Sequence, residues 1–378
     1  MTLETRIKQA AHSLGFDYAA IALFQPPPFI EQFNHWLQSG SAGEMRWIER
    51  DSEKRKNPQL VFPPGKSILI VGLNYYQPDF PGQNRDDPSR GQIAMYAWGK
   101  DYHDLIIPRL KSLAQTISSL AGTEVNARWF ADTGPILEKP FAASSYIGFI
   151  GKNTLLIHQK RGSFLFLGEL LLDLELEPDL APPEPLLGCG SCAACVKRCP
   201  TFALDAPYKL NTTRCISYLT IEHSGVIPRE LRPLMGNWIY GCDECQTVCP
   251  YNVGTKQIET QEAWFRQKDL DFISPSLLDL ITLEDAGFNK RFRGSPILRI
   301  KRSGLLRNVA IALGNWGSEE ALAGLVHALN DHEPLIRLHA AGALGQLNST
   351  AARRQLDIAR NRESNSEVLQ EIKASSSS

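Results

Sequence analysis

The chain has 378 residues, 43% of them hydrophobic and 21% charged, with a formal net charge of −1. That length allows two or three domains with ample core, and the neutral balance excludes any partner named by whole-chain charge, so only local charge can name one. No apolar run approaches the roughly 20 residues of a membrane span, and Met1-Thr-Leu-Glu-Thr-Arg-Ile-Lys opens an amphipathic helix without the apolar core of an export signal; the expectation is a cytoplasmic protein with no membrane partner.

Ile7, Ala10, Ala11 and Leu14 recur at helical spacing until Gly15 stops the helix. Tyr18 to Phe24 reads as a strand, and Pro26-Pro27-Pro28 separates it from a second helix through Phe29, Phe33 and Trp36. Ser67 to Asn74 reads as a buried strand, Asp101 to Leu120 as a long helix, and Val125 to Phe130 and Phe164 to Leu172 as further strands. Strands interleaved with helices predict an α/β domain over residues 1–182. Two glycine-containing stretches do not make a phosphate loop. Gly65-Lys66-Ser67 has Leu60 where the first glycine is required, and Gly148-Phe-Ile-Gly151-Lys152-Asn153 has the wrong spacing and no Ser or Thr. With no G-x-G-x-x-G opening a helix either, nucleotide hydrolysis and nicotinamide binding are excluded.

Within this domain Asp132 follows the apolar Trp129-Phe130-Ala131 and precedes Thr-Gly, which places it at a strand end beside a turn. The pattern fits an Asx turn or helix cap. It also fits a carboxyl in partly apolar surroundings whose raised pKa lets it act as an acid near neutrality. Arg55, in Glu53-Lys-Arg55, fits a surface helix charge or a contact to a cofactor amide or phosphate.

Pro178 to Pro185 reads as a stiff linker. All eight cysteines follow it, between Cys189 and Cys249. Cys189-Gly-Ser-Cys192-Ala-Ala-Cys195-Val-Lys-Arg-Cys199-Pro200 has the C-x2-C-x2-C-x3-C-P spacing of bacterial two-cluster ferredoxins, in which the fourth thiolate serves the other cluster. Cys242-Asp-Glu-Cys245-Gln-Thr-Val-Cys249-Pro250 completes it, with Cys215 between. The expected ligands are Cys189, Cys192, Cys195 and Cys249 for one [4Fe–4S] cluster and Cys199, Cys215, Cys242 and Cys245 for the other. Disulfides are disfavoured where thiols stay reduced, and the tripled C-x2-C-x2-C disfavours structural zinc. This ferredoxin-like domain is expected over 183–255.

A connecting segment, 256–302, turns basic at its end. Between Ala286 and Asn308 there is no acidic residue, but there are Lys290, Arg291, Arg293, Arg299, Lys301, Arg302 and Arg307. Such a stripe is either a solvated face or a phosphate-binding surface for nucleic acid. From 303 to 378, Leu306-Arg-Asn-Val-Ala310-Ile-Ala-Leu-Gly314 is echoed about 30 residues later by Ile336-Arg-Leu-His-Ala340-Ala-Gly-Ala-Leu-Gly345, the pattern of HEAT-like helix pairs. The tail Ala374 to Ser378 is expected to be disordered. The fold class is therefore α+β and multidomain: an α/β domain, a ferredoxin-like domain and HEAT-like α-helical repeats.

Across nearly its whole length the chain resembles the epoxyqueuosine reductases, which complete queuosine in the tRNA anticodon. The resemblance rests on Trp98-Gly-Lys-Asp-Tyr-His103, Asp132-Thr-Gly-Pro-Ile-Leu-Glu-Lys139, Gly148 to Asn153, Gly168-Glu-Leu-Leu171, Arg214 to Thr220 and Gly241 to Pro250. It implies reduction of epoxyqueuosine to queuosine by cob(I)alamin, held in the N-terminal domain as in the related reductive dehalogenases and supplied with electrons by the two clusters. The outside reductant is a low-potential donor. Side chains cannot supply the two electrons that deoxygenation of an epoxide to an alkene requires. The resemblance further implies Asp132 as the proton donor and Arg55, Tyr102, Asp132, Lys152, Asn153 and Asp243 as cobalamin (vitamin B12) contacts. The resemblance also implies a cobalt without a histidine ligand from the protein, and Asp101-Tyr-His103 lacks the glycine of the D-x-H-x-x-G pattern. The partner the resemblance implies is the anticodon arm of queuosine-family tRNA, with Arg293, Arg299, Lys301, Arg302 and Arg307 as candidate phosphate contacts, and the protein is expected to be a monomer. Two rival readings remain: a corrinoid reductase of a small molecule, and a plain iron–sulfur electron carrier. The first leaves the basic stripe without a role, the second the N-terminal domain.

Overall fold

The computed structural model describes residues 1–78, 83–179, 188–253, 258–267 and 269–376. Past Asp179 the expected proline linker lies outside these residues, as do the expected boundary at 255 and the last two serines. Among the described residues the strands are β1 (Tyr18–Leu23), β2 (Ser67–Asn74), β3 (Gln92–Ile93), β4 (Ala127–Phe130), β5 (Phe149–Ile150), β6 (Leu156–Ile157), β7 (Leu165–Leu172) and β8 (Trp238–Tyr240). Two compact units divide the chain. One takes Met1–Pro78, Gly99–Thr213 and Glu244–Arg266; the other takes Asp79–Trp98, Arg214–Asp243 and Gln267–Ser378.

The first unit is built on a four-stranded sheet in the order β1-β2-β7-β4. Every pairing in it is antiparallel. This corrects the expectation of an α/β domain. β2 and β7 are buried nearly throughout, and such continuous apolar runs read as parallel-sheet interior. Here they are apolar because helices cover both faces. Leu3–Ser13 and His103–Ala121 lie on one side, where a Cβ at Gly168 would press on Ile106 and Leu110. On the other side Ile68, Ile70, Leu167 and Leu171 form a cluster with Phe141 and Ala142 of the helix Glu138–Ser144. Burying this many branched side chains, at about 1.5–3 kcal/mol each, dominates the unit's stability. Strand alternation places Glu169 on the same face as Leu167 and Leu171, in register with Ile70 and Phe130.

The second unit pairs β3 with β8 in parallel and stacks the C-terminal helices. The echoed segments form the middles of the helices Lys301–Trp316 and Pro334–Leu347. Their small residues permit close approach: a Cβ on Gly314 would sit 3.0 Å from Ala343. Arg302 and the whole run Leu305 to Gly314 are buried, leaving this helix no solvent face over that run. The tail is a second correction. Ala374 to Ser376 continue the last helix, Ser366–Ser376, because Gly345 has no side chain. A Cβ there would lie 2.7 Å from the Cβ of Ser375, which is 3% exposed.

Candidate active site and cluster cradle

β4 ends at Phe130, and Ala131 is buried beneath it. Asp132 then turns the chain with φ +61°, a conformation that aspartate tolerates better than most residues. Its N–H donates to the Glu138 carboxylate. Its Oδ2 accepts from the Tyr102 hydroxyl at 2.9 Å and lies 3.9 Å from His103 Nε2. His103 Nδ1 contacts the Asp101 carboxylate at 2.7 Å. The Tyr102 ring stacks on Phe166 at 4.3 Å and 14°; burial, then the charge of Asp132, pushes its phenol far above the ordinary range. The structure therefore joins Asp132 and Tyr102, two of the residues expected to act together. The apolar pocket expected around Asp132 is absent, because its side chain is 55% exposed at the tip of the turn. Arg55 packs against the same turn, donating from Nη1 to the carbonyls of Gly134 at 3.1 Å and Ile136 at 3.4 Å. Its Nε is buried without a partner.

The carboxyls with strongly raised pKa are two that the sequence reading passed over. Glu138 opens its helix beneath Asp132, and burial, then the neighbouring Asp132 charge, pushes it up to about 8. Glu169, completely buried in β7, is held well above the usual range by burial, then by Glu138 and Asp132. When both are ionised, neither oxygen of Glu169 has a donor; a proton on either carboxyl supplies one, since the two side chains lie within hydrogen-bonding reach. Folding thus retains protons that the unfolded chain releases near pH 4.5. The sign follows: stability is complete below the unfolded value and is lost as pH rises toward the folded one. Thermal melts should show a melting temperature that falls between pH 5 and about pH 8, and Glu169→Gln, which needs no proton, should flatten that decline.

β5 and β6 form a tight hairpin carrying Lys152 and Asn153 at its tip. Gly148 is obligatory at its base, because a Cβ there would collide with the Ile157 carbonyl. The Lys152 N–H donates to Cys189 Sγ at 3.4 Å, and its Nζ donates to the carbonyls of Gly190 at 2.7 Å and Cys192 at 2.8 Å. Asn153, 4% exposed, donates to the Cys245 carbonyl at 3.3 Å. These two residues clamp the cysteine loop. A cavity of about 290 Å³ is lined by Cys189, Cys192, Cys195 and Cys249 together with them. All eight cysteines are free thiols, so the disulfide alternative is removed. Four thiols spread around a cavity fit a larger cubic cluster.

Asn252, missed in the sequence, fixes the last ligand segment: its Nδ2 donates to Ser163 Oγ at 2.9 Å and to the Gln246 carbonyl at 2.8 Å. Cys199 and Cys245 also belong to the first unit. In the second unit, Cys215 caps the helix Ile216–Ile221. Cys242 follows Gly241, whose N–H donates to Thr220 Oγ1 at 2.9 Å. Asp243 is 1% exposed and accepts the Met95 N–H at 2.7 Å, which anchors the chain at Met95.

The basic segment splits into two kinds of residue. Arg293, Arg299 and Lys301 are exposed, as is Lys290, with Arg299 reaching Glu222 at 2.8 Å. Arg302 and Arg307 are 4% and 1% exposed. Arg302 forms a bidentate pair with Asp331 and donates to the Leu283 carbonyl at 2.6 Å. Arg307 donates to the carbonyls of Leu219 at 2.7 Å, His223 at 2.7 Å and Gly225 at 3.0 Å. Neither can meet a phosphate arriving from solvent; both hold the interior together, which corrects their expected role.

No helix of the described residues is long and apolar enough to cross a membrane. Three family profiles match the chain: epoxyqueuosine reductase QueG, DUF1730, over 55–133; a 4Fe–4S double cluster binding domain over 188–252; and HEAT repeats over 302–376. The epoxyqueuosine reductase of Escherichia coli is 39% identical over 345 residues, covering 91% of this chain and 89% of its own. An epoxyqueuosine reductase crystallised with a tRNA-Tyr epoxyqueuosine-modified stem loop superimposes with a TM-score of 0.90 at 30% identity, covering 99% of this chain and 98% of its own. The Bacillus subtilis enzyme, solved with an aspartate-bearing catalytic loop swung out of the active site, gives 0.89 at 30% identity over the same shares. Identity at this level along nearly the full length of both chains settles the relationship: this protein is an oxidoreductase that carries a 4Fe–4S double-cluster domain and belongs to the epoxyqueuosine reductase family.

Proposed function

We propose that this chain reduces epoxyqueuosine to queuosine in the tRNA anticodon loop, in the cytoplasm, using a bound cobalamin fed by its two clusters. The observation that carries the reading is the end-to-end match to an enzyme crystallised with an epoxyqueuosine-modified stem loop. The reaction converts epoxide, two electrons and two protons into alkene and water. Both carbon–oxygen bonds of the epoxide break, the electrons come from an outside low-potential donor, and the oxygen needs both protons to leave as water.

In this reading Cys189, Cys192, Cys195 and Cys249 hold one cluster and Cys199, Cys215, Cys242 and Cys245 the other. Cobalamin, when bound, supplies the strongly nucleophilic, low-potential centre that side chains lack. The acid face suits such a cofactor: Arg55 has an orphaned buried Nε that an amide or phosphate oxygen would satisfy, and Asp132 offers an exposed carboxyl beside Tyr102. Asp132 delivers a proton to the departing oxygen. Tyr102 donates to its carboxylate and, held neutral by burial, keeps it in place between turnovers. The resemblance to an enzyme with a mobile aspartate loop and the position of Asp132 in a turn both support this role. Arg293, Arg299 and Lys301 contact tRNA phosphates, and the target base is splayed from the loop, as single-stranded recognition requires.

Anaerobic incubation with epoxyqueuosine-containing tRNA and a low-potential reductant, followed by nucleoside mass analysis, should show loss of one oxygen atom. An unchanged nucleoside from cluster- and cobalamin-loaded enzyme sinks the reading. Cys192→Ala should lower bound iron while Cys192→Ser keeps part of it; full iron in the alanine variant would break the ligand assignment.

A further inference from the structure

The two-proton balance leaves a gap. Asp132 carries one transferable proton, sits at an exposed turn and must be recharged before the oxygen can leave as water. Behind it lie two carboxyls with no part in the reaction as described so far. Glu169 is completely buried in the centre of the sheet, with Ile70 and Phe130 as its cross-strand neighbours. Both of its oxygens lack a protein donor. Among the described residues Glu138 is the one placed to share a proton with it, and Glu138 in turn accepts the backbone N–H of Asp132. The charged and titratable groups that bear on Glu138 and Glu169 are Asp132, Arg55 and Lys139, and Tyr102 is the titratable neighbour on the helix side of Asp132. A buried carboxylate with no donor costs several kcal/mol, and two carboxyls within reach of each other resolve that by keeping one proton between them.

We propose that Glu138 and the buried Glu169 form a carboxyl pair that stores one proton and passes it through Glu138 to Asp132, providing the second proton of the deoxygenation. This rests on the proposed reaction for its purpose, but the stored proton is a property of the protein alone. After Asp132 has given its proton to the opening epoxide, the pair's proton moves to the Asp132 carboxylate and leaves the pair with two negative charges. That state draws a proton back from solvent once product leaves. No electron moves in this step. Glu138 and Glu169 are positioning residues, since Asp132 alone meets substrate.

Infrared spectroscopy of the full-length protein tests the store. The wild type should show a protonated-carboxyl C=O band at pH 7 that survives in Asp132→Ala, is lost in Glu169→Gln and weakens in Glu138→Gln. A wild type without the band, or a Glu138→Gln/Glu169→Gln double variant that keeps it, overturns the proposal. The wild-type measurement stands even if a variant does not fold. Turnover supplies the second readout. In loaded Glu169→Gln enzyme the alkaline fall in rate should move into the neutral range, giving about a tenfold deficit at pH 8 but recovery toward wild type at pH 6, where solvent recharges Asp132, and Glu169→Asp should restore part of it. A deficit equal at every pH means a structural role only and overturns the relay. If wild-type enzyme makes no alkene at all, the reaction fails while the infrared result still judges the store.

Discussion

Replacing Asp132 with alanine should lower turnover by about 10²–10⁴-fold, the usual worth of a positioned general acid. Iron content and cobalamin retention should stay within error of wild type, and the melting temperature should fall by no more than a few degrees. The stability expectation follows from place: the side chain is 55% exposed, and its one side-chain hydrogen bond comes from Tyr102. Alanine at φ +61° adds a local cost of about 1 kcal/mol, too little to unfold the sheet. The effect should reside in the chemical step, so single-turnover assays with bound tRNA should show the full loss, while tRNA affinity measured without reductant is unchanged. Turnover within about twofold of wild type would remove Asp132 from the proton path.

The second large effect concerns stability. Arg307→Ala should destabilise the protein by about 3–5 kcal/mol, the scale of leaving buried polar partners unpaired. The guanidinium donates to three backbone carbonyls and to Asn308 Oδ1 at 3.0 Å, and the bonds to Leu219 and Asn308 are buried. Arg293→Glu combined with Lys301→Glu should leave denaturant midpoints unchanged and weaken tRNA binding with a shallower salt dependence. The two variants therefore separate one basic run into an interior half and a surface half. Equal melting curves for Arg307→Ala and wild type would refute the interior half. Unchanged affinity at several salt concentrations would refute the surface half.

Much of this was legible in the chain itself. The cysteine spacing named the cluster domain because thiolate geometry imposes the spacing directly, and Asp132 stood out at a strand end before a glycine. What remained hidden depends on neighbours distant in sequence. Charge counting placed Arg302 and Arg307 on a surface, since nothing local tells which charged residues of a helix packed on every side find carbonyls and carboxylates. Lys152 and Asn153 stood out in their glycine-containing hairpin, but their hold on the cysteine loop was hidden, because only the fold brings Cys189 and Cys245 to it. The antiparallel sheet was obscured by apolar runs that helices on both faces require equally well. Glu169 was missed although a signal existed: it is the one charged residue in the apolar run Phe164 to Leu172.

The helix Lys301–Trp316 has one further implication. Asn308, at its middle, donates to the carbonyls of Thr220 and Ile239 at 3.0 and 2.9 Å, so the repeats are rooted beside the strand that leads into Cys242. A gene shortened just ahead of Lys301 would not shed an accessory module. It would strip the backbone around Thr220 and Ile239 of its side-chain support, so the footing of Cys242 depends on the integrity of the C-terminal coils.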